Sequence, residues 1–424
     1  MTSLSLLAWI VSGIVLQLAI YLGIGFWRKW MDYQALPVRG VELNIPVYSN
    51  KLSGERENIS NAWSDFRTFK ISRKVFEDAT QSICSFYLVP EDGQPIPPFL
   101  PGQFLTFRLD VPTTLGGSEQ IIRCYSLSDA PHLDYYRVTI KRVPQPIGMD
   151  VPPGRSSNYF HDHIEVGSLL QVRAPSGRFH IDKSNNPVVL IGGGIGITPM
   201  LSMLNWCLSD QTEREVWLFY GVRNSQELVM KSHLETLANA HANFHLRVCF
   251  SNPLSEDVPS RDYHHHGRVD IHLLRIELPL KPYNFYICGP TAMMESLVPA
   301  LDDWGVPDEH IHFEAFGPAT IKRHSTTVSV AATGKEVTDT GIIVNFAMSG
   351  KQLSWLPAAN NLLEFAEANG ISVNSSCRAG GCGTCQTTIH SGEVAYRQSP
   401  DFDPEPGTCL LCVSTPKTSL TLEV

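Results

Sequence analysis

The chain has 424 residues, of which 43% are hydrophobic and 18% charged, so several packed domains are possible and extensive disorder is excluded. The formal net charge of −9 is spread along the chain without a Lys/Arg-rich run, which argues against a nucleic-acid partner. Five of the ten cysteines lie between residues 377 and 412. Such clustering in a long chain indicates metal ligands in a reducing compartment rather than a disulfide framework.

Residues 1–30 are predicted to form a single-pass transmembrane anchor. Leu4 to Trp27 carries no charged side chain, and a helix of this length spans ~36 Å, enough to cross a hydrocarbon core of ~30 Å. Arg28 and Lys29 follow the apolar stretch, so the positive-inside rule places the rest of the chain in the cytoplasm. A cleavable signal peptide is the alternative, but it would carry its positive charge before a shorter apolar core.

The remainder of the chain divides by pattern. Residues 31–65 are polar and without clear period, which indicates a linker. In residues 66–182, short β-rich runs alternate with Pro- and Gly-rich turns, the pattern of an antiparallel β-barrel. In residues 183–320, apolar strands alternate with helices, which predicts an α/β domain with a doubly wound parallel sheet. A second linker is predicted at 321–339, followed by an α+β (β-grasp) domain at 340–424.

The strongest motif lies in the C-terminal domain, where three cysteines have C-x4-C-x2-C spacing: Cys377, Cys382 and Cys385. This is the spacing of a plant-type [2Fe–2S] loop, whose fourth thiolate comes from further along the chain. Gly380, Gly381 and Gly383 permit positive φ and close wrapping, with N–H groups directed at sulfur. A zinc site would instead be expected to have two Cys pairs at short regular spacing.

Two cysteines compete as the fourth ligand, Cys409 and Cys412. The segment 407–416 resembles the closing segment of plant-type ferredoxins, in which the ligand stands four residues before a proline. Cys412 stands four residues before Pro416 and Cys409 does not. Cys412 is therefore the predicted ligand, and Cys409 is expected to be a small buried residue.

A second group of residues has the chemistry of a flavin site. Arg123, Tyr125 and Ser126 follow one another closely, and the segment Gly154-Arg-Ser-Ser-Asn158 comes next along the chain. The arginine can meet a phosphate charge, the tyrosine can pack on the ring system and the serine can hydrogen-bond near N5. Any one of these segments alone would be weak evidence for a flavin site, but their order along the chain indicates that they serve one flavin.

A third motif indicates nucleotide binding. The glycine-rich turn 192–199 follows the predicted strand Val188–Ile191 and precedes a predicted helix, which is the confirming context for such a turn. Its candidate binding residues are Gly193, Gly194, Gly196, Thr198 and Pro199. Arg223 ends the next strand, where the adenosine ribose should lie, and a guanidinium there favours NADPH slightly over NADH.

In this order, the motifs resemble the ferredoxin–NADP reductase superfamily, and more closely flavohaemoglobin-type reductase domains and oxygenase reductases with a C-terminal ferredoxin. The resemblance covers about residues 66–424. It implies that the flavin site is held by Arg123, Tyr125 and Ser126, with the pyrophosphate at Gly154, Ser156 and Ser157. It also implies FAD, with FMN as the alternative because some oxygenase reductases of this architecture use FMN.

The resemblance further implies three catalytic positions. Cys288, followed by Gly289 and Pro290, would border the nicotinamide with its thiol beside the carbon that donates hydride; a buried cysteine at a strand end is the alternative. Glu314 and Phe316 would close over the flavin. Ser126, Cys288 and Glu314 are thus the candidate catalytic residues.

The expected function is electron transfer. NAD(P)H would give a hydride to the flavin, and the [2Fe–2S] cluster would pass single electrons to an oxygenase, desaturase or haem protein, which is expected to lie in the membrane. A reductase that runs toward NADP reduction and a non-enzymatic membrane redox sensor remain alternatives. A complete oxygenase or desaturase is disfavoured because the sequence has no helical di-iron motif and no Rieske Cys-His pairs.

Overall fold

The structure, a computed structural model, describes most of the chain after residue 62: residues 63, 65–113, 116–145, 148, 152–316, 341–356, 359–375, 377–378, 380–396, 400, 402 and 404–424. The predicted anchor at 1–30, nearly all of the first predicted linker and the whole of the second lie outside these residues. Among the helices of the described part, none has the length and apolar character needed to cross a membrane.

Six antiparallel strands form the first sheet, in the order β4-β3-β6-β1-β2-β5. Their bounds are β1 Arg67–Phe76, β2 Ile83–Pro90, β3 Phe104–Pro112, β4 Ser118–Ser126, β5 Tyr136–Lys141 and β6 Leu169–Ser176. An isolated bridge between Leu127, next to β4, and Val138 of β5 joins the two edges and closes the sheet into the expected barrel. Helix α1, Arg155–His163, covers one end, where the ring of Phe160 lies 5.3 Å from that of Phe107.

The second sheet is entirely parallel and has the order β10-β9-β8-β7-β11-β12. Its strands are β7 Val188–Gly193, β8 Val216–Val222, β9 Phe244–Phe250, β10 His265–His266, β11 Asn284–Gly289 and β12 Ile311–Ala315, and its helices are α2 Ile197–Asp210, α3 Lys231–Ala240, α4 Ile271–Glu277 and α5 Thr291–Asp303. Helices cover both faces, which explains why the strands are apolar throughout. The strand order reverses between β7 and β11, so their carboxyl ends form the crevice in which such sheets bind ligands.

Two backbones meet closely in this crevice. Gly196 lies in the turn between β7 and α2, and a Cβ atom placed on it would lie 2.2 Å from the carbonyl oxygen of Cys288 at the end of β11. Only glycine permits this approach, because any other residue would force the two turns apart. The predicted glycine-rich turn and the predicted Cys-Gly-Pro turn are therefore packed on one another.

A buried carboxylate connects the barrel to the parallel-sheet domain. Asp129 follows β4 and lies 3.3 Å from the guanidinium of Arg137 on β5. From α2, the Asn205 amide donates to Asp129 Oδ1 at 2.8 Å and the Ser202 hydroxyl donates to the Asp129 carbonyl at 2.7 Å. Burial is the largest single effect and would raise the pKa of Asp129, but the Arg137 charge, His132 and the Asn205 amide together outweigh burial and hold that pKa well below its usual range.

The C-terminal domain is an α+β unit, as expected. A mixed sheet has the order β14-β13-β19-β15-β17, and β16 pairs with β18 separately. The strands are β13 Ile343–Phe346, β14 Lys351–Ser354, β15 Gln386–Ser391, β16 Val394–Tyr396, β17 Thr408–Leu410, β18 Ser414–Pro416 and β19 Leu420–Leu422. Helix α6, Leu362–Ala368, begins after Asn361, whose side chain accepts from the Glu364 N–H. Its Phe365 packs edge-on against the buried Trp355.

Candidate functional site

A cavity of about 500 Å³ lies where the barrel, the parallel-sheet domain and the C-terminal domain meet. Its volume falls within the usual range of small-molecule sites. The barrel and α1 contribute the predicted flavin residues Arg123, Tyr125, Ser126, Gly154, Ser156 and Ser157; the parallel-sheet domain contributes Thr198, Glu314 and Phe316; and the C-terminal domain contributes Ser375, Cys377 and Arg378. The structure thus brings eight predicted cofactor-binding residues, the predicted catalytic residue Glu314 and one predicted cluster ligand to a single space.

Strand β4 and the first turn of α1 shape the barrel side of the cavity. The Tyr125 hydroxyl lies 2.8 Å from Ser156 Oγ, which positions the aromatic ring against the start of α1. Burial raises the pKa of Tyr125 to about 12, so the hydroxyl is neutral at physiological pH. Ser157 has a different role from Ser156, because its hydroxyl accepts from the Val143 N–H and donates to the Gly154 carbonyl. Ser157 therefore shapes the loop that the helix follows.

The cavity is suited to an anionic ligand. Unpaired N–H groups and the helix dipole at the start of α1 favour a phosphate, and the exposed Arg123 stands on the adjacent strand. Three further cations line the same space, Lys141, Arg155 and Arg378. Sequence reasoning missed these three, since isolated Lys and Arg residues have no distinguishing pattern. Arg378 could have been suspected from its position directly after Cys377.

The predicted nucleotide residues lie beside the cavity rather than around it, with the exception of Thr198. A Cβ on Gly193 would lie 2.6 Å from the Pro290 ring, so the two predicted turns form one continuous surface. Gly194, Gly196, Pro199 and Gly289 belong to the same two turns. Arg223 is separate from this group, at the end of β8, and does not line the cavity.

Cys288 is completely buried and does not line the cavity either. Burial raises the pKa of its thiol well above the usual value, and the neighbouring Glu314 raises it further, so the sulfur is a neutral thiol. The two residues are register partners on the parallel strands β11 and β12. The structure therefore places Cys288 next to the cavity wall, beside the lining residue Glu314.

Glu314 has the properties of a ligand-facing acid. It lines the cavity, and its Oε2 atom is buried without a hydrogen-bond partner among the described residues. Burial raises its pKa to about 8, and a hydrogen bond with Ser126 offsets only part of this effect. An unsatisfied buried oxygen is costly, so a ligand with a hydrogen-bonding edge fits this wall of the cavity.

The four predicted cluster ligands come together at the other side of the cavity. Cys412 hydrogen-bonds both Cys377 and Cys385, and Cys377 also hydrogen-bonds Cys382. The described residues contain no group of three or more His, Cys, Asp or Glu side chains arranged round a single ion. A two-iron cluster does not require one, because its four thiolates are shared between two metal atoms. The convergence of four sulfurs fits the predicted cluster.

Backbone and hydroxyl donors surround the sulfurs. The N–H groups of Cys377 and Gly381 lie 3.4 and 3.3 Å from the sulfurs of Cys382 and Cys377, and the Thr384 hydroxyl lies 3.1 Å from the Cys382 sulfur. Gly380 and Gly383 have the expected positive φ, whereas Gly381 does not. A glycine at position 381 is instead favoured because the loop lies close to the barrel: a Cβ there would lie 3.0 Å from the Phe104 ring.

Cys409, the competing fourth ligand, is directed elsewhere. It lies on β17 and is fully buried, and burial raises the pKa of its thiol to about 12. Its hydrogen-bond partner is Ser414 rather than another cysteine. Cys412 therefore remains the better candidate.

Three family models match consecutive parts of the chain. A model described as an oxidoreductase FAD-binding domain matches residues 80–181, and one described as an oxidoreductase NAD-binding domain matches residues 190–298. A 2Fe-2S iron-sulfur cluster binding domain matches residues 348–417. The FAD-, NAD- and cluster-binding domains that the sequence predicted are therefore present, and the expected cofactors are confirmed at this level.

Comparison with individual proteins gives the same result. A flavohemoprotein of Bacillus cereus is 40% identical over 266 residues, 62% of this chain and 64% of the relative, so the chain spans less than two thirds of that protein. The crystal structure of the flavohem-like FAD/NAD-binding domain of nitric oxide dioxygenase from Vibrio cholerae is 31% identical, with a TM-score of 0.52 over 60% of this chain and 100% of that domain. An intact type IV self-sufficient cytochrome P450 monooxygenase shares the fold over 85% of this chain and 41% of its own, at 23% identity and a TM-score of 0.52.

The raised pKa of Glu314 predicts a pH dependence. Below about pH 8 the carboxyl is protonated and can donate a hydrogen bond into the cavity; above it, the carboxylate places a negative charge there. We expect kcat/KM for NAD(P)H oxidation, measured with ferricyanide, to fall as the pH rises through about 8. Glu314→Gln stays neutral and should lose this descending limb, whereas Glu309→Gln, a matched change just before β12, should retain it. If Glu314→Gln kept the fall in kcat/KM above about pH 8, the group that titrates would be a different one.

Proposed function

The chain belongs to the ferredoxin-reductase-type family of FAD- and NAD-binding oxidoreductases with flavohaemoglobin-like members, and on that premise we propose that it oxidises NAD(P)H and delivers single electrons through its own [2Fe–2S] domain. The observation that carries the proposal is the shared cavity. Residues from all three domains line it, including the flavin-site Tyr125, the acid Glu314 and the cluster ligand Cys377. A flavin held there touches the nucleotide domain and the cluster loop at once.

The cofactors supply the redox chemistry: a bound flavin accepts two electrons as hydride, and a [2Fe–2S] cluster accepts them one at a time. The protein residues bind and orient. Arg123 and the start of α1 hold the phosphates, Tyr125 packs on the ring system, and Ser126 and Glu314 offer hydrogen bonds to its edge. Phe316, which is 46% exposed, stands at the rim of the cavity where the nicotinamide must enter.

The choice between NADPH and NADH depends on an ion pair at the end of β8. Arg223 Nε donates to Glu227 Oε1 at 2.9 Å, and Lys141 lies 3.5 Å from the same oxygen. The hydrogen bond with Arg223 lowers the pKa of Glu227, so the carboxylate is charged at neutral pH. The predicted preference for NADPH assumes that the positive charge of Arg223 is free to pair with a 2′-phosphate. The negative charge of Glu227 counteracts that preference, because it neutralises Arg223. We propose that discrimination between the two nucleotides is small in the natural protein.

The acceptor is proposed to be a separate oxygenase, desaturase or haem protein that takes single electrons. Residues 1–30 are proposed to anchor the chain in the membrane, on the sequence grounds given above. Anchoring would raise the effective concentration of the reductase near a membrane partner.

The function is tested by separating the two electron-transfer steps. Cys412→Ser should lose the visible absorption and EPR signal of the cluster and reduce cytochrome c poorly, yet retain NAD(P)H–ferricyanide activity, because the flavin and nucleotide residues are unchanged. Cys409→Ser, the matched control in the same segment, should retain all four properties. A wild-type protein that binds flavin but fails to oxidise NAD(P)H would contradict the proposal.

The ion pair predicts a specificity change. Glu227→Gln removes a charge that repels a 2′-phosphate, so the ratio of kcat/KM for NADPH to that for NADH should rise by roughly 10-fold, and Arg223→Ala should lower it. Glu235→Gln, which removes the same charge from the surface of α3, should leave the ratio unchanged. If each of the three substitutions changed kcat/KM for NADPH and for NADH by the same factor, Arg223 and Glu227 would not contribute to discrimination at the 2′ position of the ribose.

The proposed anchor is tested by fractionation. The full chain should stay with membranes through high-salt and alkaline-carbonate washes, because a spanning helix is not held by charge. Deletion of residues 1–30 should release the protein with ferricyanide activity intact. Release of the full chain by either wash would contradict the anchor and leave the redox proposal unaffected.

A further inference from the structure

Three polar side chains form a row across the outer face of the barrel. Cys124 on β4 is the register partner of Thr106 on β3, which is in turn the register partner of Arg173 on β6. Their neighbours along the strands, Leu105 and Val172, belong to the barrel core, so the row points away from it. Thr106 Oγ1 lies 3.4 Å from the Cys124 sulfur. None of the three was predicted as a functional residue.

The cluster loop of the C-terminal domain lies directly on this row. Arg173 Nη1 donates a hydrogen bond to the carbonyl oxygen of the predicted ligand Cys382 at 2.7 Å. The Cys124 side chain hydrogen-bonds the Cys382 sulfur itself. Beside the row, Ser176 Oγ donates to the Gly381 carbonyl at 3.4 Å. Arg173 of the barrel therefore contacts the backbone of the predicted cluster ligand Cys382, and Cys124 contacts its sulfur.

Aromatic rings fix the direction of the arginine. The guanidinium carbon of Arg173 lies 4.6 Å from the ring centre of Phe66, which precedes β1, and 4.8 Å from that of Phe402 in the C-terminal domain. A Cβ on Gly383 would lie 2.7 Å from the Phe402 ring, so this ring is itself packed on the cluster loop. The guanidinium thus has one well-defined orientation, toward Cys382.

We propose that Arg173, together with Cys124, forms a seat on the flavin barrel that holds the cluster loop at one position and thereby aligns the cluster with the flavin. Arg173 acts as a positioning residue, because it contacts the ligand Cys382 and not the reacting atoms. The inference rests on the proposed function. The side chain of Cys124 leaves β4 between the flavin-site residues Arg123 and Tyr125, so the seat and the flavin site belong to the same strand.

The seat has two measurable consequences. Hydrogen bonds and positive charge near a ligand sulfur make a cluster easier to reduce, so loss of Arg173 should shift the midpoint potential to a more negative value. Loss of a charge-assisted hydrogen bond should also weaken the docked arrangement by roughly 10- to 100-fold. The ratio of cytochrome c reduction to ferricyanide reduction should then fall.

Arg108 offers a matched control. It lies on β3 next to the row, and its guanidinium carbon stacks over the same Phe66 ring at 4.2 Å. Among the described residues it makes no hydrogen bond to the cluster loop. Arg173→Ala and Arg108→Ala therefore remove the same charge from neighbouring positions, and only the first removes the contact with Cys382. Arg173→Lys keeps the charge and one donor, and should recover part of both effects.

The experiment is an EPR-monitored redox titration of the full chain with dithionite, together with the two reductase activities. The seat predicts a more negative cluster potential and a lower activity ratio in Arg173→Ala, wild-type values in Arg108→Ala and intermediate values in Arg173→Lys. Identical potentials and ratios in the two alanine variants would overturn it. Because dithionite reduces the cluster without NAD(P)H, a failure of the proposed function would leave this titration interpretable.

Discussion

The geometry of the site depends on a carboxylate, that of Asp129, which is largely shielded from water. Burying Asp129 costs several kcal/mol unless its charge and lone pairs are satisfied, and the satisfying groups come from two domains, Arg137 from the barrel and Asn205 from α2. Rotation between the domains would leave the ion pair with Arg137 intact but would break the hydrogen bonds that Asn205 and Ser202 donate to Asp129. These hydrogen bonds favour the relative orientation in which Thr198, Glu314 and Tyr125 line one cavity.

Features that depend on residues close together in the chain could be predicted from the sequence. The cysteine spacing indicated the cluster loop, and the glycine-rich turn after an apolar strand indicated the nucleotide domain; both lie in the expected folds. The preference of Cys412 over Cys409 came from its distance to a proline, and the direction of the two side chains agrees with it.

Contacts between domains could not be predicted, because no local pattern records them. Glu227 lies only four residues after Arg223, but its contact with Lys141 of the barrel has no local signal in the sequence. Cys288 is buried beside the cavity wall, where Gly196 packs on its carbonyl, and its expected place at the nicotinamide stays a prediction.

The contact between Arg173 and Cys382 also bears on how such proteins acquire new modules. A gene fusion supplies only a tether, and a tethered domain samples many orientations of which few bring two redox centres together. A receiving surface on the barrel would hold the tethered domain in one orientation. A reductase that lacked a guanidinium at position 173 and a small thiol at position 124 could inherit a ferredoxin by recombination and still have to evolve the fit between them.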